Sequence, residues 1–218
     1  MNNNTISNAE RYRRERQQQV KDRHQQILFT ALELFLENGI EPTTMQEIAD
    51  AAQISKMTLY RYFPDRASVA IEVAISTIHE IRSYIIEEYK TNTGSNTQPL
   101  DMFTAIIDSY PKFEDGYRFM AMFDNLYYSS YPTPELHTRY RTVVSQIFGN
   151  KLDSLINDKA GHEKYARIMT ITNMIMAFLQ RLALRGELMS KEQQLPVDTQ
   201  LQFFRGYIVG ISKDIILE

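Results

Sequence analysis

The sequence contains no cysteine and no tryptophan among its 218 residues, and only four histidines. A chain without cysteine forms no disulfides and has no thiol chemistry, which fits a cytoplasmic protein. The histidines, at positions 24, 79, 137 and 162, are scattered without the short spacings of metal ligands, so we expect no metal site. We also predict no cofactor.

Long apolar runs are missing as well. No window approaches the roughly 18 consecutive apolar residues of a membrane span, and the first ten residues, MNNNTISNAE, lack the apolar core of a signal peptide. We therefore expect a cytoplasmic chain without a membrane partner. At 43% hydrophobic and 23% charged residues, the composition is that of an ordinary globular protein.

The net charge of −3 hides a basic segment near the N-terminus. Residues 10–21, ERYRRERQQQVK, contain five basic side chains and two acidic ones. Such a segment favours contact with nucleic acid, but a solvated polar tail explains it equally well. We expect residues 1–22 to form a flexible basic arm. The sequence leaves open whether Arg11, Arg13, Arg14 and Arg16 enter a DNA minor groove.

Apolar residues recur at three- and four-residue spacings, and no segment shows the sustained alternation of a β-strand. The predicted fold is all-α, with about nine helices. Three helices form an N-terminal head over residues 23–70, and a long fourth helix runs to about residue 90. After a polar loop at 91–99, the predicted body helices cover residues 100–110, 116–129, 134–159, 163–185 and 197–217. Residues 71–218 form a larger helical body.

Two short helices in the head have clear start signals. The segment TMQE matches a capping box, in which the Thr44 side chain accepts from the Glu47 amide and the Glu47 side chain accepts from the Thr44 amide. Ser55 is the next N-cap, only a few residues after the first short helix ends near Ala52. Two short helices joined by a tight turn behind a longer helix are the elements of a helix-turn-helix.

The second short helix, with the sequence KMTLYRY, combines apolar, phenolic and cationic side chains. Its apolar side predicts packing of Leu59 against Ala49 and Ala52, whose small side chains allow the two helices to approach closely. Its other side predicts contact with nucleic acid, because side chains in the first turn can reach base edges and phosphates. A tyrosine there can pack its ring on the scaffold and donate its hydroxyl to a phosphate oxygen.

Residues 43–69, TTMQEIADAAQISKMTLYRYFPDRASV, resemble the DNA-binding signature of the TetR family of transcriptional repressors. The resemblance is strong over residues 23–76. It implies a helix-turn-helix head, a linking fourth helix and a helical body that binds an effector and a second copy. The shared elements are Thr44, Ile48, Ala49, Ala52, Ile54, Ser55, Thr58, Leu59, Tyr60, Phe63, Pro64 and a basic residue at Arg66.

The resemblance also implies DNA-binding roles for individual positions. Thr44, Tyr60 and Arg66 would contact phosphates, and Tyr62 would reach the DNA backbone. Positions facing bases or the adjacent backbone are Gln46, Lys56, Met57 and Thr58. Ser55 belongs to the same set, although Thr44 and Ser55 could also act only as caps. Gln53 departs from the family, because glycine is usual in this turn and accepts a left-handed backbone more easily.

The last two helices are the predicted dimer interface. The helix RIMTITNMIMAFLQRLAL is apolar over an arc too wide for one solvated face. Gly206 and Gly210 lie four residues apart on the next helix and suggest close helix approach. The alternative is that the same residues close the core of the single chain. The predicted interface residues are Ile171, Ile175, Leu179, Leu182, Phe204, Gly206, Gly210 and Ile211.

The middle helices are unusually rich in large aromatic residues and methionine, which suit an adaptable apolar pocket. Ordinary core packing is the alternative for any one of them. The predicted pocket residues are Phe103, Tyr110, Phe119, Phe123, Tyr127, Met174 and Phe178.

These features predict a repressor that binds a palindromic DNA operator as a homodimer and is released by a small, apolar effector. A transcriptional activator, or a regulator without an effector, is the alternative within the same fold. An enzyme fused to a DNA-binding head is disfavoured, since the sequence shows no nucleophile–base pair, no paired carboxylates at a plausible site and no phosphate loop. We predict no catalytic residues.

Overall fold

A computed structural model describes residues 8–93, 99–129, 133–145 and 159–216. These ranges are helical without any strand, which confirms the predicted all-α class. No helix in them is long and apolar enough to cross a membrane. The helices are α1 (Asn8–Asn38), α2 (Met45–Ala51), α3 (Lys56–Tyr62), α4 (Arg66–Thr93), α5 (Pro99–Asp108), α6 (Tyr110–Ser129), α7 (Pro134–Ser145), α8 (Lys159–Gln193) and α9 (Val197–Ile216).

The chain divides into two compact units, Met1–Val73 and Ala74–Glu218. The first contains α1, α2, α3 and the start of α4. The second contains the rest of α4 and the five helices that follow. The functions predicted for residues 23–70 and 71–218 stay predictions at this point.

Helix α1 is longer than predicted at its N-terminal end. It begins at Asn8, so residues 8–22 are helical where a flexible arm was expected. Good helix formers fill this segment, including five Arg or Lys and three Gln residues from 10 to 21. Gly39 ends the helix with φ of +89°, a left-handed conformation that glycine adopts without the strain of a side chain.

The predicted starts of α2 and α3 are confirmed. The Thr44 amide donates to the Glu47 carboxylate at 2.7 Å, and the Glu47 amide donates to the Thr44 hydroxyl at 3.2 Å, which completes the capping box. Ser55 accepts from the Thr58 amide at 3.1 Å. Asp65 accepts from the Ser68 amide at 2.7 Å and caps α4. Each cap satisfies an amide that lacks a partner in the first helical turn.

The body is built around one apolar core to which α4, α5, α6, α8 and α9 contribute. Helix α8 packs against α5, α6 and α9, and α5 also packs on α9. On the surface, Arg205 of α9 donates to both carboxylate oxygens of Asp108 on α5, with Nε–O distances of 2.9 and 3.2 Å. The core residues are Ile81, Ile85, Phe103, Ile106, Ile107, Tyr110, Tyr117, Ile168, Ile171, Ile175, Leu179, Leu182, Ala183, Leu201 and Ile208.

Two predicted helix breaks in α8 are wrong. Gly161 and Gly186 lie inside this helix, which continues to Gln193. Gly186 is buried, and a Cβ there would lie 3.2 Å from Val197 Cγ2, so this glycine permits close packing at the start of α9. The predicted gap between the helices ending at residue 110 and starting at residue 116 is found as a kink at Phe113 of α6, where φ and ψ are −122° and 27°. The predicted helix 134–159 is described only as far as Ser145.

Candidate nucleic-acid interface

The turn between α2 and α3 holds the two helices against each other. Ala49, Ala52 and Leu59 are fully buried, so the small alanines leave room for the leucine. Gln53 has a φ of +55°, a left-handed backbone conformation that is more strained for glutamine than for the glycine usual at this position. The Ile54 amide donates to the Ala49 carbonyl at 2.9 Å and closes the turn. The back of α3 is thereby held in the core of the head.

The opposite side of α3 faces solvent. Lys56 is exposed, Met57 is 79% exposed and Tyr60 is 47% exposed. Within the described part of the chain, Lys56 makes no ion pair and the Tyr60 hydroxyl makes no hydrogen bond. A cation, a thioether and a phenol are therefore available together on one short helix, and each can bind a different part of a DNA groove.

Four of the other predicted DNA contacts have hydrogen-bond partners within the head. The Thr44 hydroxyl donates to the Glu47 carboxylate at 2.8 Å, and Gln46 donates to Asp50 at 2.8 Å. The Ser55 and Thr58 hydroxyls lie 2.8 Å apart. These side chains would have to exchange an internal bond for a DNA bond. The two hydrogen bonds from Thr44 also lower the pKa of Glu47, so this carboxylate is ionised at neutral pH.

Arg66 and Tyr62 also have partners within the first unit. The Arg66 guanidinium donates to the carbonyls of Glu41 and Thr43 and so ties the start of α4 to the loop before α2. Tyr62 is half-buried, with its ring centroid 6.3 Å from that of His24 on α1. Arg66 was predicted only as a phosphate contact. In the structure it also holds the start of α4 against the loop before α2.

Residues 27–73, which contain this helix-turn-helix, match the family model of the bacterial regulatory proteins, tetR family. This part of the chain is therefore a helix-turn-helix head of the tetR type.

Named relatives of the chain are matched over part of their length. The transcriptional activator FasR of Mycolicibacterium smegmatis is 23% identical over 150 residues, which are 69% of this chain and 66% of FasR. The regulator TcmR of Streptomyces glaucescens is 38% identical over 65 residues, which are 30% of this chain and 28% of TcmR. The chain thus spans less than two thirds of either relative.

The same fold occurs in a crystal structure of a TetR-family regulator from a Rhodococcus species. The two structures share a TM-score of 0.60 at 12% identity, over 90% of this chain and 99% of the other. The likeness therefore extends beyond the head and includes the helical body.

The structure separates the predicted dimer residues into two groups. Four of them lie inside the body core, each at most 4% exposed, and so offer no surface to a second copy: Ile171, Ile175, Leu179 and Leu182. Their assignment to the interface is corrected, because they close the core of their own chain. Phe204 and Ile211 are partly buried against that core. Gly206 and Gly210 are exposed, and a Cβ at either would meet nothing within 4 Å.

The apolar side chains that do face solvent on α8 and α9 are different ones. Phe203 is 72% exposed, and Tyr207 lies one turn further along the same face of α9. Gly206 and Gly210 share that face. Helix α8 exposes Met174, Leu184 and Leu188. Counting apolar residues in the sequence could not distinguish this surface from the core. We name Phe203, Gly206, Tyr207 and Gly210 the α9 face.

The predicted pocket residues do not line one common surface. Phe103 and Tyr110 belong to the body core, and Phe119 stacks on Phe123 with ring centroids 6.0 Å apart. Phe178 stacks on Phe204 at 3.9 Å and joins α8 to α9. Met174 is 40% exposed, which corrects its placement in a pocket. The Tyr127 side chain lies outside the described residues.

Sequence analysis missed several polar groups within the body. Gln180 on α8 donates to the Asp124 carboxylate on α6 at 2.8 Å. Burial raises the pKa of Asp124, while the bond from Gln180 acts in the opposite direction. The sequence signal was weak, because the two residues lie 56 positions apart.

A second polar group lies at the start of α6. Among the described residues, the buried Tyr110 hydroxyl and Arg118 Nε make no hydrogen bond. Burial raises the pKa of Tyr110, and the nearby Glu114 carboxylate adds to this effect. Tyr117 differs, because its hydroxyl lies 2.8 Å from that of Ser109; burial raises its pKa to about 12. Positions 110, 114 and 118 share one helical face, a spacing visible in the sequence.

Proposed function

We propose that this protein is a ligand-responsive transcriptional repressor, which binds a palindromic operator as a homodimer and is released by a small, mainly apolar effector. The observation that carries the proposal is the exposed side of α3. Lys56, Met57 and Tyr60 are free of internal partners in the described part of the chain, while Leu59 anchors the helix from behind. This is the arrangement of a recognition helix.

The proposed homodimer follows from the geometry of DNA recognition. A short recognition helix covers only a few base pairs, and two heads related by twofold symmetry bind two half-sites about one helical turn apart. The α9 face supports this assembly, since exposed Phe203 and Tyr207 flank two glycines that leave space for a second helix. We propose that this face, with the exposed residues of α8, forms the twofold interface.

The proposed effector binds in the body. Apolar side chains dominate it, and the polar groups of Tyr110, Arg118 and Asp124 on α6 can orient a ligand. Release from DNA requires the effector to bind one of two conformations more tightly than the other. Gly116 of α6 lies so close to α4 that a Cβ would be 2.9 Å from Thr77 Cγ2. Helices α6 and α4 are therefore in close contact at this point, and the proposal is that a shift of α6 is passed to α4 here.

The function is tested by fluorescence anisotropy on DNA from upstream of the protein's own gene. We expect salt-sensitive, sequence-specific binding, which Tyr60→Phe weakens at least about tenfold for each head, because a hydrogen bond to a charged phosphate is worth roughly 1.5–3 kcal/mol. The matched control is Tyr165→Phe, the same chemical change on α8 of the body, which should bind as tightly as the unmodified protein.

Two results would contradict the proposal, and each tests a different part of it. If Tyr60→Phe and Tyr165→Phe weaken DNA binding equally, α3 is not part of the DNA interface. Absence of sequence-specific binding, in protein refolded free of copurified ligand, would exclude the repressor function on that DNA.

The two glycines of the α9 face give a second test. In the single chain, Gly206→Ala and Gly210→Ala should each stabilise α9 by about 0.5–1 kcal/mol, because alanine is the better helix former and meets no neighbour. In the dimer the added methyl groups should separate the helices and raise the dissociation constant. Sedimentation velocity over a concentration series measures this constant, and thermal unfolding measures the stability.

A third glycine serves as the control. Gly186→Ala should lower the stability, because the new Cβ would lie 3.2 Å from Val197 Cγ2, yet leave self-association unchanged. If Gly206→Ala and Gly210→Ala leave the dissociation constant at its original value, these glycines lie outside the interface.

An activator is the second candidate, because the relative FasR is named a transcriptional activator. Transcription in vitro from the bound promoter distinguishes the two. A repressor lowers transcript yield when added, whereas an activator raises it.

A further inference from the structure

The N-terminal part of α1 extends beyond the helix-turn-helix as an exposed basic helix. We propose that Arg13, Arg16 and Lys21 on this segment bind phosphates of the DNA that flanks the operator. This inference rests on the proposed DNA binding and adds a second contact surface to it. The contact would be electrostatic and independent of base sequence, unlike the contacts of α3.

The position of this segment follows from His24. Its ring centroid lies 5.1 Å from that of Phe63 and 6.3 Å from that of Tyr62, at the C-terminal end of α3. Residues eleven apart in an α-helix differ by only about 20° around the axis, so Arg13 lies on the same side of α1 as His24. The side of α1 that touches the recognition helix therefore continues along the basic segment.

The charges on this side are available for a partner. Arg13, Arg16 and Lys21 line an open groove with Gln17 and Val20. All three cations are exposed, and none pairs with a carboxylate within the described ranges. Their availability favours an anionic polymer with closely spaced charges, which duplex DNA provides at one charge per roughly 1.7 Å of its axis.

Arg11 on the same helix is different. It lies about 160° around the axis from Arg13, and its Nε is 3.9 Å from the Glu15 carboxylate. Arg11 is therefore a suitable control. It is an arginine of the same segment, but its side chain lies on another side of α1 and beside an acidic residue.

The distance along α1 indicates flanking DNA as the partner. Eleven residues at a rise of about 1.5 Å place Arg13 roughly 16 Å beyond His24, about half a turn of the duplex. A helix of that length reaches past the few base pairs that one recognition helix covers. The added contacts should thus depend on how far the DNA extends, and not on its sequence.

The test combines two protein variants with two DNA lengths. The DNA is the shortest upstream fragment that retains specific binding and the same fragment lengthened by ten base pairs at each end. We expect the unmodified protein to bind the longer fragment more tightly and the triple variant Arg13→Gln/Arg16→Gln/Lys21→Gln to bind both equally. On the longer fragment, the slope of log affinity against log salt should fall by about 0.9 for each lost contact, or roughly 5 for a dimer.

The control variant Arg11→Gln should keep both the preference for the longer fragment and the original salt slope. A random duplex of the longer length should show the same loss of slope for the triple variant, because phosphate contacts do not depend on sequence. This arm of the experiment works even if no operator is found, so failure of the repressor proposal can be recognised separately.

Three results would overturn the inference. One is an unchanged salt slope in the triple variant, and another is an equal change in Arg11→Gln. The third is loss of binding to vesicles of anionic phospholipid with no change in DNA binding, which would identify a membrane surface as the partner of this segment.

Discussion

Replacing Phe203 by glutamate should convert the protein from a dimer to a monomer and lower its operator affinity by at least about a hundredfold. Burying one phenylalanine side chain contributes roughly 1.5–3 kcal/mol. A twofold interface contains the residue twice, so its loss should raise the dimer dissociation constant by about two to four orders of magnitude. The new carboxylates would also repel each other. A monomer binds with one head and loses the gain from linking two.

Phe29→Glu is the matched control for this prediction. Phe29 lies on α1 and is 63% exposed, close to the 72% of Phe203, so both substitutions place a charge at a solvent-facing position. Sedimentation velocity should show a dimer for Phe29→Glu and a monomer for Phe203→Glu. A dimer in both variants at micromolar concentration would exclude the α9 face as the interface.

Shortening Leu59 to alanine should unfold the recognition helix locally and abolish DNA binding. Leu59 is fully buried between α3 and the alanines of α2, and removing a buried leucine side chain costs about 2–5 kcal/mol. The head is small, and small domains have little stability to lose. Amide hydrogen exchange on the full-length protein should show protection in α3 falling at least about thirtyfold, which corresponds to about 2 kcal/mol.

Lys56→Ala is the control that distinguishes unfolding of α3 from the loss of a direct DNA contact. Lys56 is exposed on the same helix, so its replacement should leave amide protection in α3 unchanged while weakening DNA binding. If Leu59→Ala keeps full protection and full affinity, the packing of α3 on α2 does not support recognition.

Features that depend on neighbours in sequence were predicted well. The capping box of Thr44 and Glu47 and the N-cap Ser55 are both present as predicted. Each is set by contacts within about five residues, so local residue types contain the whole signal. The exposure of Met57 opposite the buried Leu59 follows from helical periodicity for the same reason, because residues two apart differ by about 160° around the helix axis.

Features that depend on distant residues were predicted less well. Gly186 was expected to break a helix, but its environment includes Val197 of α9, which the local sequence does not show. Arg66 was expected to face phosphate, whereas it donates to the backbone of Glu41 and Thr43, more than twenty residues earlier. Neither contact could be predicted without knowing which part of the folded chain packs against Gly186 or Arg66.

The sequence by itself determined the all-α class, the helix-turn-helix and the composition of its exposed side, because helix caps and periodicity are local properties of the chain. Only the tertiary structure decided which apolar residues of α8 and α9 are core and which are surface. Ile175 and Phe203 are both apolar residues of amphipathic helices, yet one is fully buried and the other is exposed. Burial depends on which helix packs against which side, and residues far apart in the sequence determine that packing.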